Sequence, residues 1–528
     1  MLSIRAEPST FNSLTVRDTT TEVLASLLQA KLVRINRVSD EVEPWLAESW
    51  TRSVDGLRYT MKLRPNVTFS DGHAMTADDV VFSLAAAYAV RSVADTLEID
   101  GKRLSIQAND PQTITLTFPA LYAPGLRILE ALPVLPRHKL AGDLRNGTID
   151  KAQNLSTPPS DLVGLGPFVL REYSPGQRLV FARNPHYWRR DGNGGQLPYL
   201  DRVIVDIVPD ENTQLLRLES GQTDLTVSEV PADAYATIKR AADAKTLQLF
   251  DLGVGLHANA LWFNLKPGSM GTDPRAAWLQ RDELRKAISM AVDRRVFADT
   301  VFLGAGLPVF GPITPANKRW YWAGTPQTPH DPAAARALLA SIGLVDRNGD
   351  GVLEDAAGRP AQFTLMTQKG RTSLERGVSV IRDELKKMGL VVDVASLDSG
   401  AVIQRILSSK YDAVYFAPFM NDTDPALSAD FWLSSGSFHF WNMAQKAPAT
   451  EWERQIDDLM IRLMHSTDDQ ERKRLFDSVQ QIFADHVPAL YFVAPRIFAV
   501  ASTRVRNVTP AVTEPQLFWS PDSVAVSQ

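Results

Sequence analysis

Cysteine is absent from the chain. That excludes disulfides, thiolate metal sites and cysteine nucleophiles together, and with them the lipid-bearing cysteine of a mature bacterial lipoprotein. Histidine is scarce, eight residues in 528, and none precedes a glutamate, so there is no His-Glu-x-x-His zinc motif. A Gly-x-Ser-x-Gly elbow and a P-loop are also missing. Gly164-Leu165-Gly166 and Gly304-Ala305-Gly306 lack the third glycine of a dinucleotide fingerprint and read as turns. No apolar run approaches the roughly 20 residues that span a bilayer. No Lys/Arg run forms a nucleic-acid footprint on a chain of net charge −5, which argues against nucleic-acid binding. Met1-Leu2-Ser3-Ile4-Arg5 leads straight into folded-type sequence with no leader ahead of it. The chain is then either cytoplasmic or a processed form whose leader has been replaced by a start methionine.

The composition present is that of a globular chain, with 44% hydrophobic and 22% charged residues and a length that suits two to four lobes. Strand and helix patterns alternate. Leu57 to Arg64 alternates apolar and polar residues, as do Ile114, Leu116 and Phe118, which predicts half-buried strands. Thr76 with Asp79 forms a capping box ahead of Val80, Leu84 and Tyr88 on one helical face, and Thr467 with Gln470 forms another ahead of Leu475, Val479 and Phe483. Leu284, Ile288, Val292 and Val296, four apart, predict one helical stripe. Glu384 to Val392 reads as a helix end, a glycine cap and a buried strand, a βαβ-like signal of an α/β lobe.

One chemical motif stands out between Asp346 and Asp355. Oxygen side chains at Asp346, Asn348 and Asp350, then Gly351 and an acid at Glu354, are spaced like the start of a calcium loop. Position 12 is Ala357, where an EF-hand has a bidentate glutamate, so Glu354 or Asp355 would substitute. The same residues also make an acidic β-turn ahead of Phe363-Thr364-Leu365. Either role is structural; no cofactor is implied beyond this candidate calcium.

A longer series of blocks resembles one family, the extracytoplasmic solute-binding proteins of family 5, the peptide- and nickel-type group that serves ABC importers. The series comprises Leu46-Ala47-Glu48-Ser49-Trp50, Asp55-Gly56-Leu57, Phe69, Asp71-Gly72 and Thr76 to Ser83, followed by Gly164 to Phe168, Arg183 to Trp188, Pro198 to Asp201, Leu218 to Leu225 and Val292-Asp293-Arg294. These fall in the family's order over nearly the whole chain. The resemblance implies an α/β fold: a two-lobed, type II periplasmic-binding-protein-like clamp with an extra subdomain in the first lobe. Lobe I would comprise 1–41, 163–256 and 495–528, the inserted subdomain 42–162, and lobe II 257–494. It also implies capture of a small ligand between lobes, delivery to ABC importer permease subunits, no catalysis, a monomeric state, and a periplasmic or extracytoplasmic location with a lipid anchor open for the precursor.

By analogy with the family, the ligand meets Asp18, Thr19 and Thr20 of the stretch Arg17 to Thr20, the backbone around Trp262 and Asn264 in the strand-addition mode, and the stretch Phe419 to Pro425. A polar loop ahead of a helix at Glu22 and a buried strand at Trp262 are the bland alternatives. Many peptide binders of the family place an aspartate three residues before the acid of an acid-Pro pair, where it takes the ligand's α-ammonium. Here that position is Asn421, which accepts a hydrogen bond but carries no charge. Asp422 is the adjacent carboxylate, and Asp424 suits a capped turn. Trp432 is the aromatic expected to offer apolar or sugar-stacking surface, and His439 is the histidine a metal chelate would use, or else a core residue. A peptide is the favoured ligand, with an oligosaccharide or a metal chelate as the alternative; a hydrolase or a chaperone on the same scaffold ranks below both.

Overall fold

The computed structural model describes residues 1–16, 18–227, 229–417 and 422–527. The chain divides into two compact units, one formed by Met1–Leu252 with Ile497–Gln528 and the other by Gly253–Arg496. It passes between them within the strands Leu247–Val254 and Val493–Ser502.

In the first unit, the short strand Leu2–Ile4 lies parallel to both Arg202–Ile207 and Leu225–Thr226, and antiparallel hairpin strands Phe168–Ser174 and Arg178–Arg183 extend the sheet beyond Arg202–Ile207. Leu2, Ile4, Phe168, Leu179, Phe181 and Val205 from these strands form its core with Val23, Leu24 and Leu27 of the helix Thr19–Leu28. A separate four-stranded antiparallel sheet has the order Ala47–Arg52, Arg58–Leu63, Thr113–Thr117, Ser105–Asp110. Arg58–Leu63 alternates exposed and buried at every step, the two-residue period expected from its sequence. The helix Ala77–Ala89 packs against this sheet and carries the expected Thr76–Asp79 capping box. The last stretch of the chain is held in this unit by a ring and charge stack: Arg34 lies 3.8 Å from the Trp45 ring centre and 4.8 Å from that of Trp519. Buried Asp522 accepts from the Tyr187 hydroxyl at 2.8 Å and pairs with Arg189.

The second unit is built on a five-stranded sheet of order Val391–Leu397, Gln362–Gln368, Ala413–Phe416, Ala260–Phe263, Ala489–Tyr491. Gln362–Gln368 and Val391–Leu397 are parallel and joined by the helix Thr372–Lys387, which realises the βαβ signal. Gly389 follows that helix at φ +87°, the left-handed turn a glycine allows. The strand after it differs from the expectation. It is an edge strand with Asp393 and Val394 exposed, because only one of its edges has a neighbour. All four residues of the central strand Ala260–Phe263 are buried.

Two helix readings are also corrected. The stripe Leu284 to Val296 is split between Asp282–Ala291 and Arg294–Phe302, because the Asp293 carboxylate caps the second helix through the N–H groups of Arg295 and Val296; Val296 is left 45% exposed. The helix Asp469–His486 is capped by Asp468 rather than by Thr467, since Asp468 Oδ1 accepts from the N–H groups of Gln470 and Glu471.

Gly164 and Gly166 serve close approach. The Gly166 N–H donates to Leu28 O at the end of the helix Thr19–Leu28. A Cβ at Gly166 would stand 2.4 Å from Leu27 O, and one at Gly164 would stand 2.0 Å from Leu28 O. The opposing atoms are backbone, so neither can swing aside. Gly166→Ala is expected to destabilise the protein by about 1–3 kcal/mol, the usual cost of overpacking. Urea unfolding measures it, and an unchanged midpoint would show that the segment relaxes freely.

Candidate functional site

The stretch after the strand Ala413–Phe416 is where the sequence places its ligand anchor. Asn421 lies outside the described residues. From Asp422 onward the chain is a closed set of turns. Asp422 Oδ1 accepts from the Asp424 N–H at 2.8 Å, and the Ser428 hydroxyl donates to Asp422 O at 3.0 Å. Asp424 Oδ1 in turn accepts from the Ala426 N–H at 3.0 Å, and Asp424 O from that of Leu427. This is the capped turn the Asp-x-Asp-Pro pattern suggests.

The turn is pinned from a distance. One terminal nitrogen of Arg472 donates to both Asp424 oxygens, at 2.7 and 2.9 Å, and both side chains are buried. Arg472 Nε donates to Leu463 O, and the guanidinium lies 4.8 Å from the Trp320 ring centre. Asn317 reaches the same turn, donating to Thr423 O at 2.9 Å. Asp424 is thereby wholly committed to the scaffold, whereas Asp422 is only half-buried. Arg472 and Trp320 were not singled out from the sequence. Arg472 stands 48 residues from Asp424 in a helix whose periodicity marks only its apolar face, so no spacing signals the pair.

The aromatic residues near this turn are core. Trp432 is 1% exposed and packs edge-on against Phe431, Phe476 and Phe483. Phe476 also meets Trp320, so Trp432 is joined to the Arg472–Asp424 pair through a continuous line of rings. Trp262 is likewise 1% exposed and stacked on Phe440, with ring centres 5.2 Å apart at 14°. His439 is in the core too, with Nε2 3.1 Å from Glu453 Oε1. An ionised carboxylate only accepts, so that nitrogen carries the proton.

The backbone around Trp262 and Asn264 does not offer strand addition. Ala260–Phe263 is paired along its full length with Ala413–Phe416 on one edge and through Trp262 with Ala489–Tyr491 on the other, so both ladders are filled. Asn264 is equally committed. Its N–H donates to Asp412 O, its amide to Ser409 O and Tyr411 O, and its side-chain oxygen accepts from the Lys266 N–H. It is a latch between the end of one strand and the start of its neighbour.

In the other unit, Asp18 is the N-cap of the helix Thr19–Leu28. Its carboxylate accepts from Thr21 N, the Thr21 hydroxyl and the Ser9 hydroxyl, each at 2.8 Å. The helix thus begins three residues before Glu22, with Thr19 and Thr20 in its first turn rather than in a preceding loop; Thr20 is half-buried.

In the acidic loop, carboxylate atoms of Asp346, Asp350 and Glu354 lie within 4.8 Å of one another, a spacing a hard cation can bridge. The same groups are hydrogen-bonded inside the loop. Asp346 accepts from the N–H groups of Gly349 and Gly351, Asp350 from Val352 N–H and the Asn348 amide, and Glu354 from Arg347 N–H.

The described chain is thus a mixed α/β protein of two units, with an anchored acidic turn in the second. Residues 41–440 match the bacterial extracellular solute-binding proteins, family 5 Middle, and the chain belongs to that family. A probable ABC transporter-binding protein of Deinococcus radiodurans is 28% identical over 71% of this chain and 64% of its own length. The oligopeptide-binding protein AppA of Bacillus subtilis is 27% identical over 77% of this chain and 70% of its own. The solved structure of AppA from Bacillus subtilis in complex with a nonapeptide superposes with a TM-score of 0.76 and 23% identity, covering 100% of this chain and 98% of that one. The fold is that of the type II periplasmic binding proteins.

Arg472→Ala is expected to cost about 3–5 kcal/mol in chemical denaturation, because it leaves the Asp424 carboxylate buried and unpaired. Arg472→Met combined with Asp424→Leu removes both charges and should recover part of that loss. Glu453 gives a pH prediction. Burial pushes its carboxyl up, but His439, Gln445 and Thr450 around it outweigh burial and hold it below the usual carboxylate range. A depressed folded-state pKa stabilises above the unfolded value, about 4.3, and the gain is lost as pH falls through the folded one. Glu453→Gln should therefore be less stable than the parent at neutral pH, and the gap should shrink on acidification below about pH 4; a gap constant with pH would refute it.

Proposed function

We propose that this chain captures a peptide or a similar small polar solute outside the cytoplasm and delivers it to the permease subunits of an ABC importer. The family supplies the class, and the oligopeptide named for AppA supports the ligand. The observation that carries the reading is the division of labour in the acidic turn. Asp424 is locked by Arg472, and the neighbouring half-buried Asp422, oriented by the Asp424 N–H on its Oδ1, is our candidate carboxylate for an incoming ammonium. A fixed carboxylate loses little freedom on binding, which favours a charge-assisted hydrogen bond. This reading contains no chemical step.

Asn421 favours a second reading. It stands where peptide binders of the family carry their aspartate, and a neutral amide suits the hydroxyls of an oligosaccharide or a metal chelate. Native mass spectrometry of the protein as purified, followed by thermal-shift screening with peptide, oligosaccharide and metal-chelate pools, separates the two. A retained or stabilising peptide is expected, with affinity falling at least about tenfold in Asp422→Asn. Stabilisation by sugars or chelates alone would overturn the peptide reading and keep the class.

A further inference from the structure

Three of the eight histidines gather on the first unit, far in sequence from the acidic turn. His73 follows Asp71 in the loop before the helix Ala77–Ala89, His138 lies in the first turn of the helix Arg137–Asn146, and His186 follows the strand Arg178–Arg183. The rings of His73 and His138 are stacked with centres 4.0 Å apart at 18°. His138 Nε2 is 2.8 Å from Asp71 Oδ2, and its ring meets buried Phe69 edge-on at 5.5 Å. His186 sits over Gly72, its Nε2 3.6 Å from where a Cβ of that residue would be. His73 and His186 are exposed, and the His138 side chain, between the His73 and Phe69 rings, keeps 21% of its surface open.

From this juxtaposition we propose that Asp71, His73 and His138, with His186 beside them, bind a divalent transition ion of the zinc or nickel type. Two or three imidazoles and one carboxylate are the donor set such borderline ions prefer. Two ligands of a tetrahedral ion at about 2.0–2.1 Å stand roughly 3.3 Å apart, so the His138–Asp71 contact needs to widen by only about 0.5 Å to admit the metal in place of the shared proton. Parallel rings direct their in-plane lone pairs alongside each other. His73 therefore has to turn about its side-chain bonds to complete the shell, and its exposure leaves it room. The backbone N–H of His73 donates to Asp71 Oδ1 at 3.1 Å, which holds the carboxylate toward His138. The site is independent of the solute-binding reading.

The test is titration of the metal-stripped full chain with Zn²⁺ alone, and separately with Ni²⁺ alone, by calorimetry in a non-coordinating buffer. One ion per chain is expected, with proton release and weaker binding on acidification because imidazoles bind deprotonated. His73→Ala and His138→Ala should each weaken binding by at least about tenfold, and exposed His73→Ala should keep a thermal midpoint close to the parent's. His330→Ala, at an exposed histidine of the other unit, should leave the affinity unchanged. Absence of saturable binding, or binding that survives the His73→Ala/His138→Ala double variant, would overturn the proposal and reduce the cluster to a surface ion pair beside a ring stack.

Discussion

The buried contact between Arg472 and Asp424 is the constraint on which the acidic turn depends. A carboxylate and a guanidinium taken out of water are stable only with each other and with further hydrogen bonds, and here the pair has both. Asp424 also holds the Ala426 N–H, and Arg472 also reaches Leu463 O and lies near the Trp320 ring. The turn is therefore positioned by the helix Asp469–His486 and the Trp320 segment as well as by its own sequence. Displacing either partner would move Asp422, whose Oδ1 accepts from the Asp424 N–H.

The aromatic residues around that pair do structural work. Trp320, Phe476, Trp432, Phe431, Phe483 and Trp441 meet mostly edge to face, the geometry favoured by ring quadrupoles, and form one continuous core with the central sheet. The same economy governs Asn264, whose polar groups all serve the junction of two strands. Polar residues of the second unit thus differ in burial, Asp424 and Asn264 being buried while Asp422 is half-buried.

How much of this was legible in the sequence depended on how local the cause was. Alternation at Arg58–Leu63, the Thr76 capping box and the βαβ unit around Gly389 depend on contacts within a few residues and were read directly. The long stripe through Val292 was misread, because a four-residue period continues across a helix break that only the Asp293 cap reveals. Gly164 and Gly166 were read as turns, but their lack of a side chain matters because another backbone passes close by. Around the candidate site, the capped turn at Asp424 was legible; the commitment of Asn264, the filled ladders beside Trp262 and the pairing with Arg472 were not.

By itself the sequence determined the fold class, the family and the local frame of the acidic turn, since each rests on periodicity, caps or blocks in a preserved order. Tertiary structure alone decided which of the candidate residues are spent on the fold. The reason is physical: whether a polar group is available depends on donors and acceptors brought to it from elsewhere in the chain, as Arg472 is brought to Asp424 across 48 residues, and burial then makes that commitment costly to undo.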